Sequence, residues 1–373
     1  MTTLTSGTAG IAERTRAGGR LGALRSRSYP FRSLAVTQDS ARARVGVVGC
    51  GATAQLNHLP ALSRLGLRPE VVVDAEPSRA QEVGERFGAA RHTSDLAEAA
   101  ELIDRAVVAT PPGSHAPIAE TLLAQGVHVL LEKPMATSGE EGRRIAAAAE
   151  ASGGVVCVGL TRRHWHATRW LAAFLDAGAR AEVEFFDWRE GFGFGWPAET
   201  DYFIRNEDGG GGALLDMGSH TIDLMLMWFG EVARASYFDD NYGGVEADCE
   251  IHLATKAGAA GFMELSRTRM LRNSVLIQGR GWRIEVPDVY ANELRARPSS
   301  LLRQEFAGLR GDRLPAQTLP DLYVAQLEHF FAAIARGAAP DETLGDAIAS
   351  LELMSACYGD RRPLELSWVG APR

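Results

Sequence analysis

Of the 39 basic residues in this chain, only Lys133 and Lys256 are lysines. An ammonium exchanges its proton near neutral pH far more readily than a guanidinium, so a lysine kept among arginines is a candidate proton-transfer group, with chance survival as the alternative. Lys133 lies in Glu132-Lys133-Pro134, at the end of the short apolar run that starts at His128. Taken alone, that tripeptide also reads as a solvated strand end. A second constellation is Gly209 to Gly212 followed by Ala213-Leu214-Leu215-Asp216-Met217-Gly218-Ser219-His220. The glycines permit a close turn into a helix, and Asp216 and His220, four apart, fall on one helical face. An imidazole oriented by a carboxylate suits acid–base work, and a buried structural Asp–His pair is the plainer reading. Asp223, further along, caps or bridges.

The third constellation is Gly49-Cys50-Gly51-Ala52-Thr53-Ala54, set between the β-branched run ending at Val48 and a helix-like stretch. Small residues at a strand-to-helix turn let backbone N–H groups approach a pyrophosphate, and Asp74, twenty-five positions after Gly49, suits a ribose 2′-hydroxyl. Asp74 repels a 2′-phosphate and the following Ala75 offers no positive charge, so NAD is favoured over NADP, although Arg79 can reach round. Thr110-Pro111-Pro112-Gly113-Ser114-His115 follows a fourth strand, where open α/β sheets bind ligands. His115 there either faces the ligand or is satisfied by backbone. Cofactor contacts are thus expected at Gly49, Gly51, Ala52, Thr53, Ala54, Asp74, Thr110, Pro111, His115, Glu132 and Lys133.

These groups need elements to position them. Strand and helix signals alternate from Val45 to Leu160: strands at 45–49, 70–74, 105–110, 128–132 and 155–160, helices at 78–87 and 115–125, and a capping box at Ser138 and Glu141. The class is α/β, with an N-terminal Rossmann doubly wound parallel sheet over 44–160. Beyond 161 the pattern turns to alternating strands, with Cys249, Ile251 and Leu253 on one face, and others at 181–189, 232–238, 259–266, 273–279 and 281–286. With amphipathic helices near 321–336 and 341–358, residues 161–373 read as a second, α+β domain built on a mainly antiparallel sheet. Residues 1–43, with Arg-rich, acid-poor composition, read as a flexible arm.

A chain of 373 residues, 46% hydrophobic, exceeds one ordinary core and fits two globular domains. The net charge of −8 argues against a general nucleic-acid binder, and no apolar run is long enough to span a bilayer. Cys50, Cys157, Cys249 and Cys357 form no zinc spacing and read as reduced residues of a cytoplasmic protein. No metal is expected, because Asp216, His220 and the His164/His166 pair lack a completing ligand. Phe192, Phe194, Trp196 and Pro197 form an aromatic segment that either stacks on a sugar ring or belongs to a core. Arg205, Arg162 and Arg163 are cleft candidates, and the Arg-rich stretch 294–313 reads as a solvated loop.

In order, the GxGxxA turn, the Thr-Pro-Pro and His segment, the Glu-Lys-Pro strand end and the GGGALLDxGxHxxD helix resemble the Gfo/Idh/MocA family of oxidoreductases over residues 44–369. The Arg-rich start departs from its shorter members. The resemblance implies a Rossmann domain, an open antiparallel sheet domain over 161–373 that binds substrate and pairs into homodimers or homotetramers, and a substrate site at Lys133, Asp216 and His220. Arg162, Trp196 and Arg205 complete the expected substrate contacts. The implied activity is NAD-dependent hydride transfer with a secondary alcohol or ketone of a sugar, cyclitol or related polyol. An NAD-dependent glycosidase and a non-catalytic dinucleotide-binding regulator are the competing readings.

Overall fold

Six short strands, β1 (Val45–Val48), β2 (Val71–Val73), β3 (Arg91–Thr93), β4 (Arg105–Val108), β5 (His128–Leu131) and β6 (Val156–Val158), form a wholly parallel sheet in the order β3-β2-β1-β4-β5-β6. The computed structural model describes residues 43–193, 195, 210–241, 244–298, 316–337 and 344–364. Val and Leu dominate the central strands because helices cover both faces. The chain leaves β1 on one side and β4 on the other, so a crevice opens at the carboxyl ends of these neighbours.

The connecting helices are α1 (Leu59–Arg64), entered through a π-turn at Ala54–His58, α2 (Pro77–Phe87), α3 (Leu96–Leu102), α4 (His115–Ala124) and α5 (Gly139–Ser152). Local chemistry sets their ends. Asp95 caps α3 by accepting from Ala97 N at 2.8 Å and Glu98 N at 3.2 Å, and Pro77 opens α2. Ser138 caps α5 through Glu141 N at 3.3 Å. The reciprocal half of the expected capping box is displaced by one residue, since the Glu141 carboxylate accepts from Thr137 N and Oγ1 at 2.9 and 2.7 Å.

The second sheet holds β7 (Val183–Gly191), β8 (Val232–Asp239), β9 (Asp248–Thr255), β10 (Ala260–Ser266), β11 (Ser274–Gly279), β12 (Trp282–Val286), β13 (Arg295–Pro298) and β14 (Arg361–Pro363), ordered β13-β12-β11-β7-β10-β9-β8-β14. It is mixed and mainly antiparallel: β7 with β10 and β8 with β14 run parallel. Cys249, Ile251 and Leu253 are buried while His252 is exposed, the alternation expected of a one-sided sheet. The buried face meets α6 (His166–Phe174) and the helical pair α7 (Ala213–Asp216) and α8 (Gly218–Phe229). Phe186 stacks on Phe229 at 4.0 Å and Trp188 on Trp228 at 5.3 Å, so ring faces join sheet to helix.

Two elements cross between the sheets. Helix α9 (Leu319–Arg336) inserts Leu327, Phe330 and Phe331 into a core shared with Val45, Leu62 and Val107 of the parallel-sheet domain. Helix α10 (Leu344–Gly359) contacts both α5 and α8. A division at residue 160 therefore separates the sheets but not the helical layers. Strand β13 also replaces the expected loop at the start of 294–313. Its Arg-Ala-Arg-Pro sequence carries no apolar alternation, and pairing with β12 is what orders it.

Candidate active site

Where β1 ends, Gly49 adopts φ +92°, and a Cβ there would lie 2.7 Å from the Ala109 carbonyl oxygen. Only glycine turns the chain so close to β4. At Gly51 a Cβ would meet nothing within 4 Å, so the loop presents bare backbone to open space. The Asp74 carboxylate at the end of β2 locks this loop, accepting from Cys50 N at 2.8 Å and from Glu76 N at 2.9 Å. Arg79 donates to Asp74 Oδ1 at 3.1 Å.

This turn opens into a cavity of about 1100 Å³ that runs along the carboxyl edge of the parallel sheet to the second domain. Gly49, Gly51, Ala52, Thr53, Asp74, Thr110, Pro111, Glu132 and Lys133 line it on one side. Asp216, His220, Arg162, Arg267, Tyr290 and Phe192 line it on the other. A glycine loop open to the cavity and an acid at the second strand end fit a dinucleotide. Trp196 and Arg205 lie outside the described residues.

Two expected cofactor contacts sit elsewhere. Ala54 is fully buried in the core beneath the turn. His115 is also fully buried, its ring bridging Pro134 O at 3.0 Å and Thr110 O at 2.8 Å. Burial pushes its pKa below the ordinary value, although both carbonyls and Glu132 favour the charged form. His115 thus braces the Thr110 loop against the strand end at Pro134 and does not face the cavity.

The Lys133 ammonium donates to Asp216 Oδ1 at 2.7 Å and to the Asp216 carbonyl at 3.1 Å. Arg267 Nη2 donates to Asp216 Oδ2 at 2.8 Å. Burial alone raises the Asp216 carboxyl, but these two cations outweigh it and hold it at about 2. Asp216 therefore serves Lys133, and the expected Asp216–His220 pair is not made. Lys133 and Arg267 take both carboxylate oxygens, and the Asp216 carbonyl accepts from Lys133 while His220 N bonds to Met217 O at 3.2 Å. His220 Nδ1 is buried without a partner among the described residues, and burial, Arg162 and Lys133 hold its pKa well below the usual histidine value.

The two arginines after β6 divide. Arg162 binds Glu190 bidentately at 2.7 and 2.8 Å and lies 4.5 Å over the Tyr290 ring, while Tyr290 Oη and Thr221 Oγ1 donate to the same carboxylate. Glu190 is fully buried, and its carboxyl is lowered because Arg162, Tyr290 and Thr221 outweigh desolvation. Arg162 reaches the cavity as a wall with its charge matched. Arg163 turns away to Asp223 at 2.5 and 2.8 Å and to Asp346 at 3.2 Å, so Asp223 bridges.

Several groups of the site had no sequence signal. His58, fully buried, contacts Glu132 Oε1 through Nε2 at 2.7 Å, and Glu132 Oε2 accepts from Lys133 N at 3.0 Å. Burial raises Glu132, but His58 and Lys133 outweigh it and keep it a carboxylate. Glu190, Arg267 and Tyr290 likewise come from strand ends and a loop distant in sequence. Arg267 directly follows β10, and that position was its one available hint.

A doubly wound domain with a glycine loop, an acid at the second strand and a lysine facing a sheet domain defines a dinucleotide-dependent oxidoreductase of two domains. Residues 43–160 match the oxidoreductase family described as having an NAD-binding Rossmann fold, and residues 168–285 match its GFO/IDH/MocA C-terminal domain. The chain belongs to the Gfo/Idh/MocA oxidoreductase family, and NAD is the cofactor of its first domain. It is 27% identical over 332 residues to inositol 2-dehydrogenase of Rhizobium meliloti, covering 84% of this chain and 95% of that one. It is 30% identical over 226 residues to a putative UDP-kanosamine synthase oxidoreductase subunit of Amycolatopsis mediterranei, covering 56% of this chain and 62% of that one. Levoglucosan dehydrogenase in complex with NADH shares the fold, with a TM-score of 0.74 at 22% identity over 85% of this chain and 96% of that one.

Asp74→Ser is expected to weaken NAD roughly 10-fold, the size of one lost hydrogen bond to a charged group, and to narrow the gap to NADP as Arg79 is released. Calorimetric titration with both cofactors checks this, and an unchanged preference would place the discrimination elsewhere.

Proposed function

We propose that this protein is an NAD-dependent dehydrogenase or reductase acting on a secondary alcohol or ketone of a sugar, cyclitol or related polyol. Bound NAD supplies the hydride acceptor or donor. The observation that carries the reading is the Lys133 ammonium, fixed by Asp216 at 2.7 Å in the cavity that also holds the Gly49–Thr53 loop. Two of its three N–H groups are engaged by Asp216, which leaves the third for a substrate oxygen.

Elimination supports Lys133 as the proton-transfer residue. Asp216, held at about 2, stays ionised at working pH, and Glu132 is likewise kept anionic. His220 is neutral, while burial raises the phenols of Tyr290 and Tyr323. Lys133 then carries the proton at the reacting oxygen, and neutral His220 hydrogen-bonds a neighbouring hydroxyl. Relatives named as inositol, levoglucosan and sugar-nucleotide oxidoreductases support a polyhydroxylated substrate. A homodimer or homotetramer and a cytoplasmic setting with four reduced, buried cysteines belong to the same reading.

The test is a panel of polyols, aminocyclitols and sugar nucleotides, followed at the nicotinamide absorption band with NAD and NADP. Stoichiometric NADH formation with a member of the panel is expected. NAD binding without hydride exchange on any member would favour a regulator, and product release without net NADH would favour a glycosidase.

A further inference from the structure

Glu246 lies between β8 and β9, 1% exposed, and takes no part in the cavity lining. Its carboxylate accepts from Gly212 N at 3.1 Å through each oxygen and from Leu214 N at 2.9 Å. Its own carbonyl accepts from Ala213 N at 2.9 Å, so one residue takes up three consecutive N–H groups at the start of α7. Tyr358 Oη of α10 donates to the same carboxylate at 2.8 Å, and Arg361 stands 3.8 Å away.

The glycines show how tightly the turn is held. A Cβ on Gly212 would fall on the Glu246 carbonyl, one on Gly211 on the Tyr358 hydroxyl, and one on Gly210 2.9 Å from the Thr137 side chain. Thr137 is four residues beyond Lys133. The turn is thus wedged between the segment leaving Lys133 and a buried carboxylate, and Asp216 follows Gly212 by one helical turn.

We propose that Glu246 is a positioning residue: by closing the Gly210–Gly212 turn it sets where Asp216 presents its carboxylate and carbonyl to the Lys133 ammonium. The functional weight of this proposal rests on the role assigned to Lys133 above, whereas the geometric claim is independent of it. Loss of the carboxylate leaves the N–H groups of Gly212 and Leu214 without their acceptor, and the cheapest relief is movement of the turn that carries Asp216.

The chain supplies its own reporter, because Lys133 and Lys256 are its two lysines. Wild type, Glu246→Ala, Glu246→Gln and Tyr358→Phe are treated with an amine-acetylating reagent, and the rate at each lysine is read by peptide mass spectrometry. In Glu246→Ala the N–H groups of Gly212 and Leu214 lose their side-chain acceptor, so acetylation of Lys133 is expected to quicken roughly fivefold, the size of one hydrogen bond's net contribution. Glu246→Gln, whose amide oxygen can take the place of the Oε1 that accepts from Gly212 N, Leu214 N and Tyr358 Oη, should stay near the wild-type rate. Lys256, paired with Glu231 at a β-hairpin turn, should remain within about twofold, as should NAD affinity, because the Gly49 loop and Asp74 belong to the other sheet. A folded Glu246→Ala protein with lower thermal stability and an unchanged Lys133 rate would overturn the proposal, leaving Glu246 a structural group. Should that variant not fold, Tyr358→Phe, which removes one hydroxyl, decides: a Lys133 rate equal to wild type overturns it, and a faster one supports it. No substrate enters the experiment, so its outcome is separate from whether the protein oxidises a polyol.

Discussion

Lys133→Arg is expected to cut turnover roughly 10²- to 10⁴-fold, the usual range for removing a general acid–base group, with NAD affinity nearly unchanged. The substitution keeps the charge and an attraction to Asp216. It removes a group able to give and take a proton at working pH, because a guanidinium stays protonated. It also replaces a point charge with a planar fork in a site where Asp216 already binds Arg267. Steady-state kcat with NAD titration in parallel separates the two effects. Near-normal kcat would make Lys133 a positioning charge and move proton transfer to His220.

Glu190→Ala is expected to destabilise the protein by about 3–5 kcal/mol, because it strands the Arg162 guanidinium without its anion. The carboxylate is fully buried and takes four donors from Arg162, Tyr290 and Thr221. The folded state holds its pKa below the ordinary glutamate value, so its contribution is fully present above about pH 4.3 and fades as pH falls through the depressed folded value. The stability difference between wild type and Glu190→Gln should accordingly shrink toward acid pH. Denaturant midpoints across pH measure both effects, and a loss below about 1 kcal/mol would mean that Arg162 finds another anion.

Local signals carried most of the architecture. β1, β4 and β5 are buried on both faces and read as continuous apolar runs, and the strands around Cys249 to Leu253 alternate because one face is covered. Strands β3, β13 and β14 were invisible, because three- and four-residue edge segments rich in Arg carry no period. Much of the site was legible for the same reason: Gly49, Asp74 and Lys133 end apolar strands at one edge of one sheet.

The partners of those residues were not legible. Asp216 and His220 have helical spacing, yet two cations from other elements take the carboxylate. His58 finds Glu132 across 74 positions, and Arg162 finds Glu190 across 28. Such ion pairs are decided by tertiary approach, and no local pattern specifies which acid meets which base. For His115 the backbone reading of the two is the one the structure shows, its ring lying between the carbonyls of Thr110 and Pro134.

In the proposed reaction Lys133 moves the proton while NAD exchanges the hydride. The most direct measurement is single-turnover absorbance at the nicotinamide band, with enzyme in excess over an oxidisable polyol, comparing wild type with Lys133→Arg at saturating NAD. Single turnover isolates the chemical step from product release. Wild type should give a full-amplitude signal, and the variant a rate at least about 10²-fold lower at the same NAD occupancy. Equal rates in the two proteins would contradict it.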